Sequence, residues 1–144
     1  MKRKAAGRRT GRRREGKGMA QRKKEKTRRT GGWAERFSIV IPTYNEEKDI
    51  LPTLEAIARL RYPKDRMEIV IVDDSTDETP RVIRKFAARH PQLRLRLLTQ
   101  KKKEGRTGAR NLGIRKAKGD IVVILNADVH LPPDFLSRIA AHYA

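Results

Sequence analysis

IVVILNADVHLPP, residues 121–133, is the stretch from which the fold of this 144-residue chain is read. Ile121 to Leu125 are apolar without interruption and run straight into Asn126, Asp128 and His130. A continuous run rich in Val and Ile is expected where a strand is buried on both faces of a parallel sheet. In extended chain the side chains at i, i+2 and i+4 share one side. Asn126, Asp128 and His130 are therefore expected to converge just past the end of a central strand. Open α/β sheets bind ligands at that place, outside the carboxyl ends of their strands. Whether it is a metal–diphosphate site or a polar turn depends on the rest of the chain.

Working outward, the sequence alternates strand-like and helix-like texture. FSIVIP (37–42) is a short apolar strand stopped by Pro42 and followed by the loop Thr43-Tyr44-Asn45. Asn45 or Asp49 can cap the next helix, and Glu46, Glu47 and Asp49 put negative charge at its start. Pro52 is tolerated in the first turn if Asp49 is the cap. Ile50, Leu54, Ile57 and Ala58 form its buried stripe, and Tyr62-Pro63 closes it. MEIVIVDD (67–74) is a second strand ending in two adjacent carboxylates. These repel each other, so at least one is expected to have a specific donor or cation. Ser75 and Glu78 fit a capping box before a helix carrying Val82, Ile83, Phe86 and Ala87. LRLRLL (93–98) alternates apolar residues with Arg, the pattern of a half-exposed edge strand.

Residues 101–120, KKKEGRTGARNLGIRKAKGD, combine a basic loop with a helix containing Ala109, Leu112 and Ala117. Gly105 and Gly108 allow close backbone approach near that helix's start, a favourable place for a phosphate. Pro132-Pro133-Asp134 opens a last helix with Phe135, Leu136, Ile139 and Ala140 on one face. Strands alternating with helices imply a parallel sheet joined by right-handed crossovers. Three polar loops, Thr43-Tyr44-Asn45, Asp73-Asp74 and Asn126-Ala127-Asp128, then lie on one edge of that sheet.

The net charge of +19 is concentrated at the start. Residues 1–32 hold 15 of the 36 Lys and Arg and 2 of the 17 Asp and Glu. Such a segment is expected to be a disordered polybasic tail, suited to an acidic membrane surface or to nucleic acid phosphates. It lacks the interleaved aromatics that stack on bases. There is no cysteine, hence no thiolate chemistry. No apolar run approaches the roughly 20 residues of a membrane span, and no secretory signal is visible. A cytoplasmic chain, peripheral at the inner face of the cell membrane at most, is the expectation.

PTYNEE (42–47), VDDSTDET (72–79), GRTGARNLGI (105–114) and GDIVVILNADVHLPPDFL (119–136) together resemble the nucleotide-sugar-binding half of family 2 glycosyltransferases of the GT-A fold. The resemblance covers about residues 37–144, with the motifs in the family's order. It implies a three-layer, Rossmann-like α/β domain over 33–144, a mainly parallel sheet with helices on both faces. It further implies that Pro42, Thr43 and Tyr44 line the nucleoside pocket, Tyr44 stacking on the base. Glu46 would contact the nucleoside or ribose, and Asp74 with Asp73 the base. Arg106, with Lys103 or Arg110, would face the diphosphate. Asp128, supported by Asn126 and His130, would hold Mn²⁺ or Mg²⁺.

The implied activity is inverting sugar transfer from a nucleotide-diphosphate donor to an acceptor that is lipid-linked, a glycan or another molecule. Two departures bear on it. Asn126 stands where many relatives carry aspartate, so a neutral oxygen replaces a charge. The chain also ends where the acceptor-binding half would begin, as if truncated, and none of its acids matches the family's general base. The rival readings are a non-catalytic nucleotide-sugar-binding module, half of a split enzyme completed by a second chain, or a basic membrane- or nucleic-acid-binding protein acting through its tail.

Overall fold

A computed structural model describes residues 34–100 and 104–143. The tail of residues 1–32 and the loop lysines Lys101, Lys102 and Lys103 lie outside the described residues, as do the expectations attached to them. In chain order the elements are β1 (Phe37–Thr43), α1 (Ile50–Ala58), β2 (Met67–Asp73), α2 (Thr79–Arg89), β3 (Arg94–Thr99), α3 (Gly105–Lys116), β4 (Ile121–Ile124) and α4 (Phe135–Tyr143). A single 3-10 turn, Lys64–Arg66, leads into β2.

The four strands form one parallel sheet in the order β3-β2-β1-β4. The chain builds outward from β1 to β3, then crosses back through α3 to lay β4 on the other side of β1. That reversal makes the crevice beyond β1 and β4 the sheet's topological switch point. Alternation along the strands divides the core into two layers. Val40, Val70 and Val72 meet Ala109 of α3, with Leu98, Leu112 and Ala117 packed around them. Ile39, Ile41, Ile69 and Ile71, all fully buried, face the opposite way. That side belongs to α1 and α2, which pack on each other, with α2 also against β3. Each such side chain contributes about 1.5–3 kcal/mol on burial. Helices on both faces of a parallel sheet agree with the sequence reading.

α3 comes close to β1 because Gly113 has no side chain; a Cβ there would run into the Val40 side chain. At the amino edge of the sheet, Glu68 Oε1 accepts hydrogen bonds from Ser38 Oγ (3.1 Å), Arg96 Nη2 (2.9 Å) and Lys118 N (3.1 Å). One carboxylate thus ties together β1, β2, β3 and the turn before β4. Arg96 is therefore a structural partner as well as a guard of the β3 edge.

Two local expectations are corrected. β4 is a four-residue strand at the sheet's edge, and Val122 and Ile124 are exposed by 37% and 45%. It is not the central, doubly buried strand that its apolar run indicated, because an apolar flank alone does not say what covers it. Ser75 and Glu78 do not form a capping box, since no side chain caps the start of α2 at Glu78. Asp77 Oδ1 instead accepts from Thr79 N at 2.9 Å, and the Ser75 hydroxyl is engaged elsewhere. Asp49 is the N-cap residue of α1, as Pro52 requires, without a side-chain cap bond.

Candidate functional site

A cavity of about 240 Å³ opens at the carboxyl ends of β1 and β2, lined by Pro42, Thr43, Tyr44, Asp74, Gly105, Arg106 and Ala109. Three separate elements supply it. β1 stops at Pro42-Thr43 and presents Tyr44, which is 54% exposed. β2 ends at Asp73, and Asp74 is the first residue beyond it. α3 begins at Gly105, whose φ of +69° suits a residue without a Cβ. Its N-cap residue, Glu104, makes no side-chain cap hydrogen bond to the first-turn amides. Such amides and the positive end of the helix dipole favour an anion. Arg106 adds a full charge in the same turn and forms no ion pair among the described residues. The cavity therefore offers an aromatic face, a carboxylate and an anion-attracting helix start.

The adjacent aspartates divide the work. Asp73 is 4% exposed; its Oδ1 accepts from Thr43 Oγ1 and Ser75 Oγ, both at 2.7 Å, and its Oδ2 from Ser75 N at 3.2 Å. These protein donors are the specific partners that two neighbouring carboxylates called for. Asp74 points to the cavity while its own N–H donates to Thr43 O at 3.1 Å.

Sequence reasoning missed Asn45 as more than a helix cap. Its φ is +52°, a region that asparagine tolerates better than most residues. Its N–H donates to Ser75 Oγ at 2.8 Å. Its Oδ1 accepts from Thr76 N at 2.9 Å and from Thr76 Oγ1 and Asp77 N at 3.3 Å. The only sequence signal was an asparagine in a strand-to-helix loop, where its short amide can satisfy nearby backbone N–H groups.

Glu46 sits beside the cavity, its N–H bonded to Thr79 Oγ1 at 2.9 Å. Burial pushes its carboxyl above the usual range; Asp49, Asp128 and Asp77 add to the rise, and Arg106 opposes it. Glu46 thus lies within the fields of both Arg106 and Asp128. Arg110, on the next turn of α3, is exposed and does not line the cavity.

Asn126, Asp128 and His130 are exposed, and none of them lines the cavity. The chain leaves extended geometry after β4 and turns, with Val129 N donating to Asn126 O at 3.2 Å. This turn breaks the two-residue repeat on which their convergence rested. The loop is nonetheless fixed: the fully buried Thr53 of α1 donates from Oγ1 to Ala127 O at 2.6 Å. Among the described residues no three His, Cys, Asp or Glu side chains gather as a metal site. One carboxylate and one amide fit an Mg²⁺-like ion that takes its other ligands from a diphosphate and water. They do not fit an ion caged by protein atoms alone.

Residues 38–144 match the family described as "Glycosyl transferase family 2". The beta-monoglucosyldiacylglycerol synthase of Synechocystis is 35% identical over 107 residues, 74% of this chain and 22% of the relative. The mannosyltransferase PcManGT of Pyrobaculum calidifontis, solved with GDP-Man and Mn²⁺, superposes with a TM-score of 0.69 at 41% identity, covering 72% of this chain and 30% of that one. TarS of Staphylococcus aureus, solved with UDP-GlcNAc, gives a TM-score of 0.66 at 32% identity over 74% of this chain and 30% of its own. The chain spans less than a third of the length of each.

Proposed function

The chain belongs to glycosyl transferase family 2, and on that premise we propose that residues 33–144 hold the nucleotide-diphosphate sugar donor of an inverting sugar transfer. The observation that carries this reading is the cavity in which Tyr44, Asp74 and Arg106 meet at the start of α3. A nucleoside diphosphate needs a surface to stack on, an acceptor for base N–H groups and a counter-charge for its phosphates, and the cavity's lining offers all three. In the proposal Tyr44 stacks on the base, Asp74 accepts from it, and Pro42 and Thr43 close the floor. Glu46 reaches toward the ribose.

During transfer the acceptor oxygen attacks the anomeric carbon, the bond from that carbon to the diphosphate breaks, and the electron pair leaves with the diphosphate. Arg106 and the first-turn amides of α3 face that growing negative charge, which is electrostatic stabilisation of the leaving group. Asp128, with Asn126 beside it, would hold Mn²⁺ or Mg²⁺ together with the diphosphate. When bound, such an ion supplies Lewis-acid stabilisation of the leaving diphosphate. His130 is a lesser candidate, because it follows the turn. The proton of the acceptor goes to a general base that we assign to no residue described here. The acceptor, a lipid-linked molecule, a glycan or another molecule, is assigned to no residue described here. The basic residues 1–32 suit an acidic membrane surface, in keeping with a cytoplasmic, membrane-peripheral location.

The test is calorimetric titration of UDP and GDP into the 144-residue chain with and without Mn²⁺. The reading expects one of them to bind, more tightly with the ion, and Arg106→Ala and Asp128→Ala each to weaken binding. No binding of either nucleotide at millimolar concentration would sink it. A second reading, a donor-holding module completed by another segment or chain, is favoured by the exposed apolar flank of β4 at Val122 and Ile124. Turnover of donor by the purified chain alone would remove the inert form of that reading.

A further inference from the structure

The two cavity residues that lie just beyond the ends of β1 and β2, Tyr44 and Asp74, share one property: each is flanked on both sides by residues of a single hydrogen-bond network. Thr43 and Asn45 flank Tyr44; Asp73 and Ser75 flank Asp74. Thr43 Oγ1 donates to Asp73 Oδ1, Ser75 Oγ donates to the same atom, and Asn45 N donates to Ser75 Oγ. The circuit extends beyond Ser75, where Asn45 Oδ1 accepts from Thr76 and Asp77. The loop after β1 and the loop after β2 are thus bolted together around the two side chains that point outward. Asn45 joins the loops by both its backbone and its side chain, as Thr43 does at the strand ends, but Asn45 alone among these residues reaches on to Thr76 and Asp77. Tyr44 itself is largely exposed, so its own burial fixes it little.

We infer that Asn45 is a positioning residue for nucleoside recognition: by clasping residues 75–77 it sets the Tyr44 ring and the Asp74 carboxylate at a fixed spacing. The inference rests on the donor-binding reading above. It concerns the base-recognising side of the cavity alone, because Arg106 and the start of α3 belong to a separate element with no bond to Asn45.

Two variants separate positioning from general support. Asn45→Gly keeps the +52° backbone comfortable but deletes the acceptor. Asn45→Asp retains an oxygen in the same place and tolerates the same φ. Calorimetry with the full chain would compare UDP, GDP and inorganic pyrophosphate, alongside a thermal melt. The inference expects Asn45→Gly to weaken whichever nucleotide the wild type binds by roughly tenfold, to leave pyrophosphate affinity unchanged, and Asn45→Asp to restore nucleotide affinity. It is overturned if Asn45→Gly binds nucleotide like the wild type, or if pyrophosphate affinity falls in parallel. It is equally overturned if Asn45→Asp behaves like Asn45→Gly. A wild type that binds pyrophosphate but neither nucleotide removes the nucleoside reading and this inference with it.

Discussion

Asp73 and Asp74 are neighbours of the same chemical type, yet their replacement by asparagine should produce opposite phenotypes. Asp73 receives three hydrogen bonds in a buried setting. In the better of its two amide orientations, the side chain introduced by Asp73→Asn keeps an oxygen toward Thr43 and Ser75 Oγ. It then turns an NH₂ toward Ser75 N, two donors face to face. One bond is lost outright, and two lose their charge assistance. A hydrogen bond to a charged group contributes about 1.5–3 kcal/mol and a neutral one about 0.5–1.5, so the bonds lose about 4–5 kcal/mol in sum; a neutral amide costs less to bury than a carboxylate, which brings the net loss to about 3 kcal/mol. At about 4 °C or more per kcal/mol for a domain of this size, Tm should fall by roughly 12 °C. Asp74→Asn removes no hydrogen bond seen in the fold, because its backbone N–H still reaches Thr43 O. Its stability should stay within about 0.5 kcal/mol of the wild type, while nucleotide affinity falls. Thermal melts and calorimetry on the two variants suffice. Equal melting losses, or an Asp73→Asn variant as stable as the wild type, would refute the division of roles.

Three further outcomes are expected. Gly113→Ala gains helix propensity but forces a methyl into Val40, for a net loss of about 1–2 kcal/mol; denaturant melts should show the loss shrinking when Val40→Ala is added. Tyr62, edge-on to Phe37 at 5.1 Å, donates to Glu35 O at 2.5 Å. Tyr62→Phe should cost about 1–2 kcal/mol by orphaning that acceptor, and an absorbance titration should lose the phenol that burial and the Glu35 charge push up to about 12. Glu46 has its folded pKa raised by burial and by Asp49, with Asp128 and Asp77 adding, so its protonated form favours the fold. That contribution is complete below its unfolded pKa and is lost as pH rises through the folded value. Glu46→Gln should therefore gain on the wild type at neutral pH, with the gap closing on acidification; pH-dependent melts showing a constant gap would contradict this.

The order of elements was legible because each strand and helix carries its own period and its own stop. The LRLRLL alternation marks an edge, Pro52 suited Asp49 rather than Asn45 as the cap, and the stop expected at Pro42 fell one residue short of the end of β1 at Thr43. What local pattern could not carry was neighbourhood. Nothing in IVVI says that its strand lies outside β1 with one flank bare. Nothing in VDDST says which aspartate turns inward, because that depends on the register pairing Thr43 with Asp73. The convergence of Asn126, Asp128 and His130 assumed that the strand continued to 130, whereas its ladder ends at Ile124. Asn45 read as a possible cap because its partners lie about thirty residues away on another loop.

The order β3-β2-β1-β4 also has a consequence for how the protein is made. Of the four described strands, β4 is made last and pairs with the one made first, Phe37 opposite Ile121. At 5–20 residues per second, roughly 4–17 s separate their synthesis. Through that interval β1, whose seven residues are all buried in the finished fold, waits with one edge bare. A nascent chain can assemble β1, β2 and β3 and even close the ring around Asn45. It cannot set the loop of Asn126 and Asp128 until β4 arrives. The stretch most exposed to misassociation during that wait is FSIVIPT.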